Sequence, residues 1–443
     1  MNISSSTGRP QPIFTKLNAV AVIVGIVIGI GIFRLPPIVA SNAASGAEFI
    51  GFWVAGGIIS LIGALCYAEL ATTYPDAGGE YHFLTKAYGR SVGFLFSWGR
   101  MTVIQTGSIA LAGFILGDYA TLLLDLGPYS SSIYAALTVL ALTGLNIWGT
   151  NPSKKTQNVV TGAIVVVLLS LSIGSIFGGS GTDLAELSLP ESSGSVGAAM
   201  IFVLLTYGGW NEASYLSGEL MEVRKNMIRV LVIGIGVISL IYVLVNYAYL
   251  QVLGLEGLQN SEAVGADLTA HFLGEEGVIL LSLLVIVTAL STANATIITG
   301  ARTNYALGRD FSFLGFLGKW NQQQNTPQNA LLVQGAIALG LVALGAVTKQ
   351  SITTMVDYTA PVFWFFLLLV GISLFVFRSR HPEAERSYKV PFYPVTPILF
   401  ILTALYLLYS SLTYTGIGAL LGVGILLTGI PVLLWGRWNS RRS

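Results

Sequence analysis

The sequence predicts an all-α integral membrane protein of about twelve transmembrane helices, and three observations carry that prediction. Of its 443 residues, 53% are hydrophobic and only 10% charged, with a mean hydropathy of +0.73, well outside the balance of soluble domains. Apolar stretches of roughly 20 residues, the length needed to cross the hydrocarbon, recur from Leu17 to the C-terminus between short polar loops. Once those stretches are threaded through a bilayer, the basic residues fall on one side. No room remains for a soluble domain, so residues 1–443 read as one transmembrane unit.

Apolar runs and their breaks place six helices near 17–39, 49–73, 91–121, 129–149, 157–178 and 196–219. Six more lie near 228–253, 277–308, 328–347, 351–377, 393–412 and 415–436. The first apolar run is too long, and too poorly flanked by small residues, for a cleavable signal peptide, so it is expected to remain as the first helix. With both termini cytoplasmic, inner loops carry Lys86, Arg90, Lys154, Lys155, Arg224, Lys225, Arg378, Arg380, Arg386 and Lys389. Outside, only Lys349 is basic, and the outer loops are acidic, with Asp183, Glu186 and Glu191 in one and Glu256, Glu262, Asp267, Glu275 and Glu276 in another. That asymmetry indicates a multi-pass protein of the inner or plasma membrane. One cysteine, Cys66, excludes a disulfide framework and a thiolate metal cluster.

Two helices look interrupted at mid-membrane depth. The first contains Gly25, Gly29 and Gly31, then Phe33-Arg34-Leu35-Pro36; the sixth contains Leu205-Thr206-Tyr207-Gly208-Gly209-Trp210-Asn211-Glu212. Glycine weakens a helix by about 1 kcal/mol relative to alanine, and bare backbone inside a bilayer survives only against protein or a water-filled cavity. An unwound turn offers amides to a carboxylate and carbonyls to an ammonium. The plainer reading is small-residue helix packing, for which Gly25 and Gly29 have the right spacing. Two breaks in matched positions, each followed by an aromatic, favour a binding site between two inverted five-helix repeats, about 17–178 and 196–377, with helices 11 and 12 at about 393–436.

These residues resemble the amino acid-polyamine-organocation superfamily, and within it the bacterial L-type amino-acid exchanger branch. Gly29-Ile30-Gly31-Ile32-Phe33 and Tyr207-Gly208-Gly209-Trp210-Asn211 look like the family's two breaks. Tyr74-Pro75-Asp76-Ala77-Gly78-Gly79-Glu80-Tyr81, with Gly93-Phe94 and Trp98-Gly99, is similar to its signature between helices two and three, and Asn294 and the run 301–310 add to the match. The resemblance implies a five-plus-five inverted-repeat fold. The amides around Gly29, Ile30 and Gly31 would hold the substrate α-carboxylate, and the backbone at Thr206 and Tyr207 the α-ammonium. Leu205, Tyr207, Gly208, Gly209 and Asn294 would complete the site. Many relatives carry a lysine in helix five where this chain has Ile164. Coupling is therefore open between exchange, proton and sodium, with Ser291 and Thr292 as candidate hydroxyl ligands for sodium; no organic cofactor is expected. Relatives that pair with a glycoprotein use a cysteine in the outer loop after helix three, and the loop 122–130 has none, so no disulfide-linked heavy subunit is expected.

Charges within the membrane should face a partner or water. Arg34, just outside the first break, is expected to snorkel or to close an outer gate with Asp357 in helix ten. Glu212, with no basic neighbour in the chain, is a candidate proton-coupling site or else a structural carboxylate. Arg100 reads as a structural ion-pair partner, Glu69 as the partner of a loop lysine, and Asp310 as a solvated charge or a latch to Arg9 or Lys16. The expected substrate is a small or neutral L-amino acid carried by alternating access, because no mid-membrane acidic pair suits a cationic side chain. The partners are that substrate and the bilayer, with no nucleic acid. Other readings are a carrier of small amines or polyamines and, with less support, a membrane enzyme: His82, His271 and His381 fall in or near three separate loops, too scattered for a zinc site or triad. A channel would need filter motifs that the sequence does not show.

Overall fold

The computed structural model describes residues 19–20, 24–25, 27–76, 78–149, 154–178, 194–218, 220–414 and 416–440. They are helical nearly throughout, and no β-strand occurs among them. Nine helices among the described residues are long and apolar enough to cross a membrane. The predicted helices outside that set are the first, fifth and sixth. The first and sixth are interrupted, and the apolar part of the fifth, within Lys154–Gly178, is the shorter stretch Gly162–Ser175.

The second helix, Gly46–Thr73, starts at Ser45, whose hydroxyl accepts the amide of Glu48, while the Glu48 carboxylate accepts the amide of Ala44. Local hydrogen bonds thus satisfy the orphan donors of its first turn. Its glycines are points of close approach. A Cβ on Gly56 would sit 2.4 Å from Val203 and 2.9 Å from the Tyr207 ring, so the sixth helix packs directly on the second helix's backbone. The third helix runs from Arg90 to Leu123 through a π turn at Arg100–Ile104. It packs against the fourth (Ser130–Ile147), eighth (Val264–Asp310) and tenth (Ser351–Arg380) helices, while the second lies along the seventh (Val223–Asn260).

Three segments differ from the sequence reading. The connection before the third helix is itself helical over Gly79–Tyr88, because Phe83, Leu84 and Ala87 recur at helical spacing and bury one face; Gly89, at φ +92°, turns the chain into the third helix. The seventh and eighth helices continue well past their apolar stretches. Left-handed Gly254 and Gly274 redirect them without ending the helical pairing, so Glu256, Asp267, Glu275 and Glu276 sit on helical turns rather than in an open loop. Helices nine, eleven and twelve, at Gln328–Thr348, Val395–Tyr414 and Ile417–Ser440, match the predicted spans to within a few residues.

Candidate functional site

Helix one loses its α-helical pairing at Gly29, directly after Ile28, whose amide still reaches the Val24 carbonyl at 2.7 Å. The Gly29 amide reaches only two residues back, to the Val27 carbonyl at 2.7 Å, and Gly29 itself is extended, with φ −99° and ψ −157°. A 3-10 turn, Ile30–Phe33, and a short α-helix, Pro36–Ala40, form the half after the break. Helix six is α-helical over Val196–Thr206, turns at Gly209 in the left-handed region (φ +107°), and resumes as the 3-10 segment Trp210–Gly218. The breaks touch: a Cβ on Gly31 would lie 3.3 Å from the Thr206 methyl. Gly29, Gly31, Leu205, Gly208 and Gly209 are only partly buried, while Ile30, Ile32, Phe33, Leu204, Thr206 and Tyr207 beside them are buried. That pattern describes two backbone edges facing a space inside the bundle.

One side chain joins these edges. Tyr242, fully buried in helix seven, points its hydroxyl at the carbonyls of Val27 (2.7 Å) and Thr206 (3.1 Å), one from each break. Both carbonyls are thereby fixed at the seam; that of Val27 also accepts the Gly29 amide, so the second lone pair that an ammonium can use is that of Thr206. Across from them, among the described residues the Gly31 amide has no acceptor outside its own 3-10 turn. An amide on one edge and a fixed carbonyl on the other suit the two ends of an α-amino acid.

The expected residues divide between lining and packing. The Gly29 amide is taken by Val27, so of the three expected amides those of Ile30 and Gly31 are left for a carboxylate among the described residues. The Tyr207 ring does not line the space: it is buried against Trp53 and Tyr242, its hydroxyl 2.9 Å from the Trp53 carbonyl, so packing against helices two and seven claims it. Leu205, Gly208 and Gly209 stay at the edge. Asn294 is committed across helices, its side-chain oxygen accepting from Asn146 at 2.7 Å. Ser291 and Thr292 are half-buried in helix eight, and the Thr292 carbonyl accepts from the Thr296 hydroxyl. Ile164 is buried, 1% exposed, in helix five.

The intramembrane charges are paired differently from the sequence expectation. Arg34 reaches Asp118 in helix three at 2.9 Å rather than Asp357; Asp118 also accepts from Ser131 at 2.7 Å, and neighbouring Tyr119 donates to the Phe33 carbonyl at 2.9 Å. The C-terminal half of helix one is therefore fastened to helix three. Asp357 instead accepts the backbone amide of Gly416 at the start of helix twelve, against which helix ten packs. Glu212 has a basic partner after all, since Arg100 donates to both its oxygens at 3.0 and 3.1 Å. Arg100 also stands 3.8 Å from Glu80, which accepts from Tyr67 and from Asn211. Burial pushes the Glu80 carboxyl above its usual range, and Arg100 pulls it back. Arg100 is thus the structural ion-pair partner expected of it. Glu69 meets arginines and not a loop lysine: Arg378 at 2.6 Å and Arg386 at 3.5 Å, with the Val390 amide at 2.7 Å. Asp310 accepts from Tyr81 at 2.6 Å, while Arg9 and Lys16 lie outside the described residues.

Sequence reasoning passed over Tyr242, Asp118 and Glu80 as site residues. Glu80 stood inside the quoted signature. Tyr242, in an apolar helix, and Asp118, a carboxylate near the C-terminal end of helix three, were visible polar exceptions whose partners Val27, Thr206 and Arg34 lie far away in the chain.

A broken-helix site of this kind, in a bundle of about twelve helices, agrees with what the chain resembles. The family profile for amino acid permease matches residues 14–434. The chain is 31% identical to the mouse (Mus musculus) b(0,+)-type amino acid transporter 1, over 89% of this chain and 82% of the relative. It is 26% identical to the serine/threonine exchanger SteT of Bacillus subtilis (strain 168), over 94% of each, and 28% identical to mouse large neutral amino acids transporter small subunit 2, over 95% and 80%. With 421 consecutive positions under one profile and both helix breaks inside them, this chain belongs to the amino acid permease family, whose members here are transporters and not enzymes.

Proposed function

We propose that this amino-acid transporter exchanges small neutral L-amino acids across the cell's plasma (inner) membrane, with both termini in the cytoplasm. The carrying observation is the seam between the two breaks: on one edge the Gly31 amide, with no acceptor outside its own turn among the described residues, and on the other the Thr206 carbonyl, held by Tyr242 beside that of Val27. A carboxylate and an ammonium on one carbon meet both edges at once, and a substrate lacking either end loses half of the grip. Glycines at the rim, with no acidic side chain among the seam residues, suit a short neutral side chain. The names of the relatives, a serine/threonine exchanger among them, support exchange. Cys66, the only cysteine, is buried in helix two, which supports a carrier without a disulfide-linked subunit. Should transport depend on sodium, Ser291 and Thr292 are the proposed hydroxyl ligands.

The test is uptake into proteoliposomes of a labelled amino-acid panel, with internal amino acid, sodium and pH varied in turn. Uptake of serine, alanine or threonine that requires amino acid inside supports the proposal. Selective uptake of polyamines or of cationic amino acids contradicts it.

A further inference from the structure

On the face rich in lysine and arginine, away from the substrate seam, a cavity of about 410 Å³ opens between three elements. Arg90 and Arg437 come from the start of helix three and the end of helix twelve, and Asp310, Phe311, Ser312 and Phe313 from the connection after helix eight. Its floor is a separate apolar cluster that includes Phe94, Phe311 and Leu433. The Phe313 ring lies so close to Gly436 that a Cβ there would come within 2.2 Å, so the floor is tightly packed.

The rim carries uncompensated positive charge. Arg34, Arg100, Arg224, Arg378 and Arg386 each have a carboxylate within 4.0 Å. Among the described residues Arg90 and Arg437 have none: Arg90 donates to the Asp310 carbonyl at 3.0 Å and Arg437 to the Ser91 hydroxyl at 2.7 Å. Each neutral tether fixes the guanidinium without cancelling its charge. The one acidic side chain in the lining, Asp310, is turned to the Tyr81 hydroxyl. Depth is marked by Trp435 and Trp438, more than half exposed on the same turns of helix twelve, as expected for tryptophans at the headgroup level. Leu427, Ile430 and Leu434 continue an exposed apolar face into the membrane.

We propose that this cavity binds the phosphate of an anionic phospholipid headgroup from the inner leaflet, with Arg90 and Arg437 as its two cationic contacts and the acyl chains lying along helix twelve. Two guanidiniums in one pocket match a phosphate diester; basic pockets between helices at the cytoplasmic face are where such headgroups settle. A free phosphate shares the chemistry but has no use for the apolar face alongside.

Native mass spectrometry of the purified full-length chain, titrated with phosphatidylglycerol and separately with phosphatidylcholine or inorganic phosphate, tests this independently of any transport assay. Phosphatidylglycerol should bind selectively, and R90Q/R437Q should weaken it about thirtyfold, in line with the contribution of two basic groups near a membrane surface. R90K/R437K should keep most of the affinity. Asp310→Asn, which removes the opposing charge but leaves an acceptor for Tyr81, should tighten it, and that variant decides the matter even if the double glutamine variant fails to fold. Equal binding of phosphatidylcholine, full displacement by inorganic phosphate, or unchanged affinity in R90Q/R437Q or Asp310→Asn would overturn the proposal.

Discussion

At the scale of single residues, Tyr242 has the clearest consequence. Its hydroxyl serves two buried carbonyls on two broken helices; its loss takes that donor from Thr206 while Val27 keeps the Gly29 amide, at a cost of about 1–3 kcal/mol. Tyr242→Phe should therefore fold and insert but raise the KM of uptake about tenfold; an unchanged KM would show that the Val27 and Thr206 carbonyls do not face substrate. The Arg34–Asp118 pair is four-fifths buried on each side. Asp118→Asn and Arg34→Gln should each cost about tenfold in uptake, as a charged hydrogen bond worth about 1.5–3 kcal/mol would. The charge exchange should restore part of it, and Asp357→Asn should leave uptake near wild type. Full activity in Asp118→Asn would remove the outer fastening from the mechanism. Glu80 gives a pH prediction. Its carboxyl is raised in the folded protein, so the folded state holds the proton longer than the unfolded state and stability falls as pH rises through the window between the two values. Melting curves in detergent should show this decline above the ordinary glutamate range, and Glu80→Gln should flatten it.

At the scale of elements, both breaks were legible because they depend on local chemistry: glycines at mid-membrane depth, and Pro36 and Pro37 opening the short outer helix. Gly209 occupies a left-handed conformation at φ +107° that a side chain strains. Gly56 is a contact and not a hinge. Gly56→Ala should force Val203 and Tyr207 away from helix two, costing about 1–3 kcal/mol as overpacked cores do and measurable as a lowered melting temperature together with reduced uptake. The pairings were not legible. Arg34 and Asp118 stand 84 positions apart, and Arg100 and Glu212 stand 112 apart; a sequence shows that a buried charge needs a partner and not which one folding supplies. The helix at Gly79–Tyr88 was missed because ten residues with three buried apolar positions give a short periodic signal inside a polar stretch.

At the scale of the whole molecule, helix three holds both broken helices. Asp118 and Tyr119 fasten the C-terminal half of helix one near one end, and Arg100 fastens the C-terminal half of helix six near the other. Eighteen residues separate Arg100 from Asp118, about 27 Å of helix, close to the thickness of the hydrocarbon. Both fastenings are made in this structure. Alternating access then requires one to release while the other holds, and substrate that bridges the two breaks shifts the balance between those states. Everything rests on the backbone of helices one and six gripping a zwitterion. The most direct measurement is competition against labelled amino-acid exchange in proteoliposomes by the free amino acid, its N-acetyl derivative and its methyl ester. The free amino acid alone should compete, because each derivative loses one charged end; equal competition by either derivative would contradict the account.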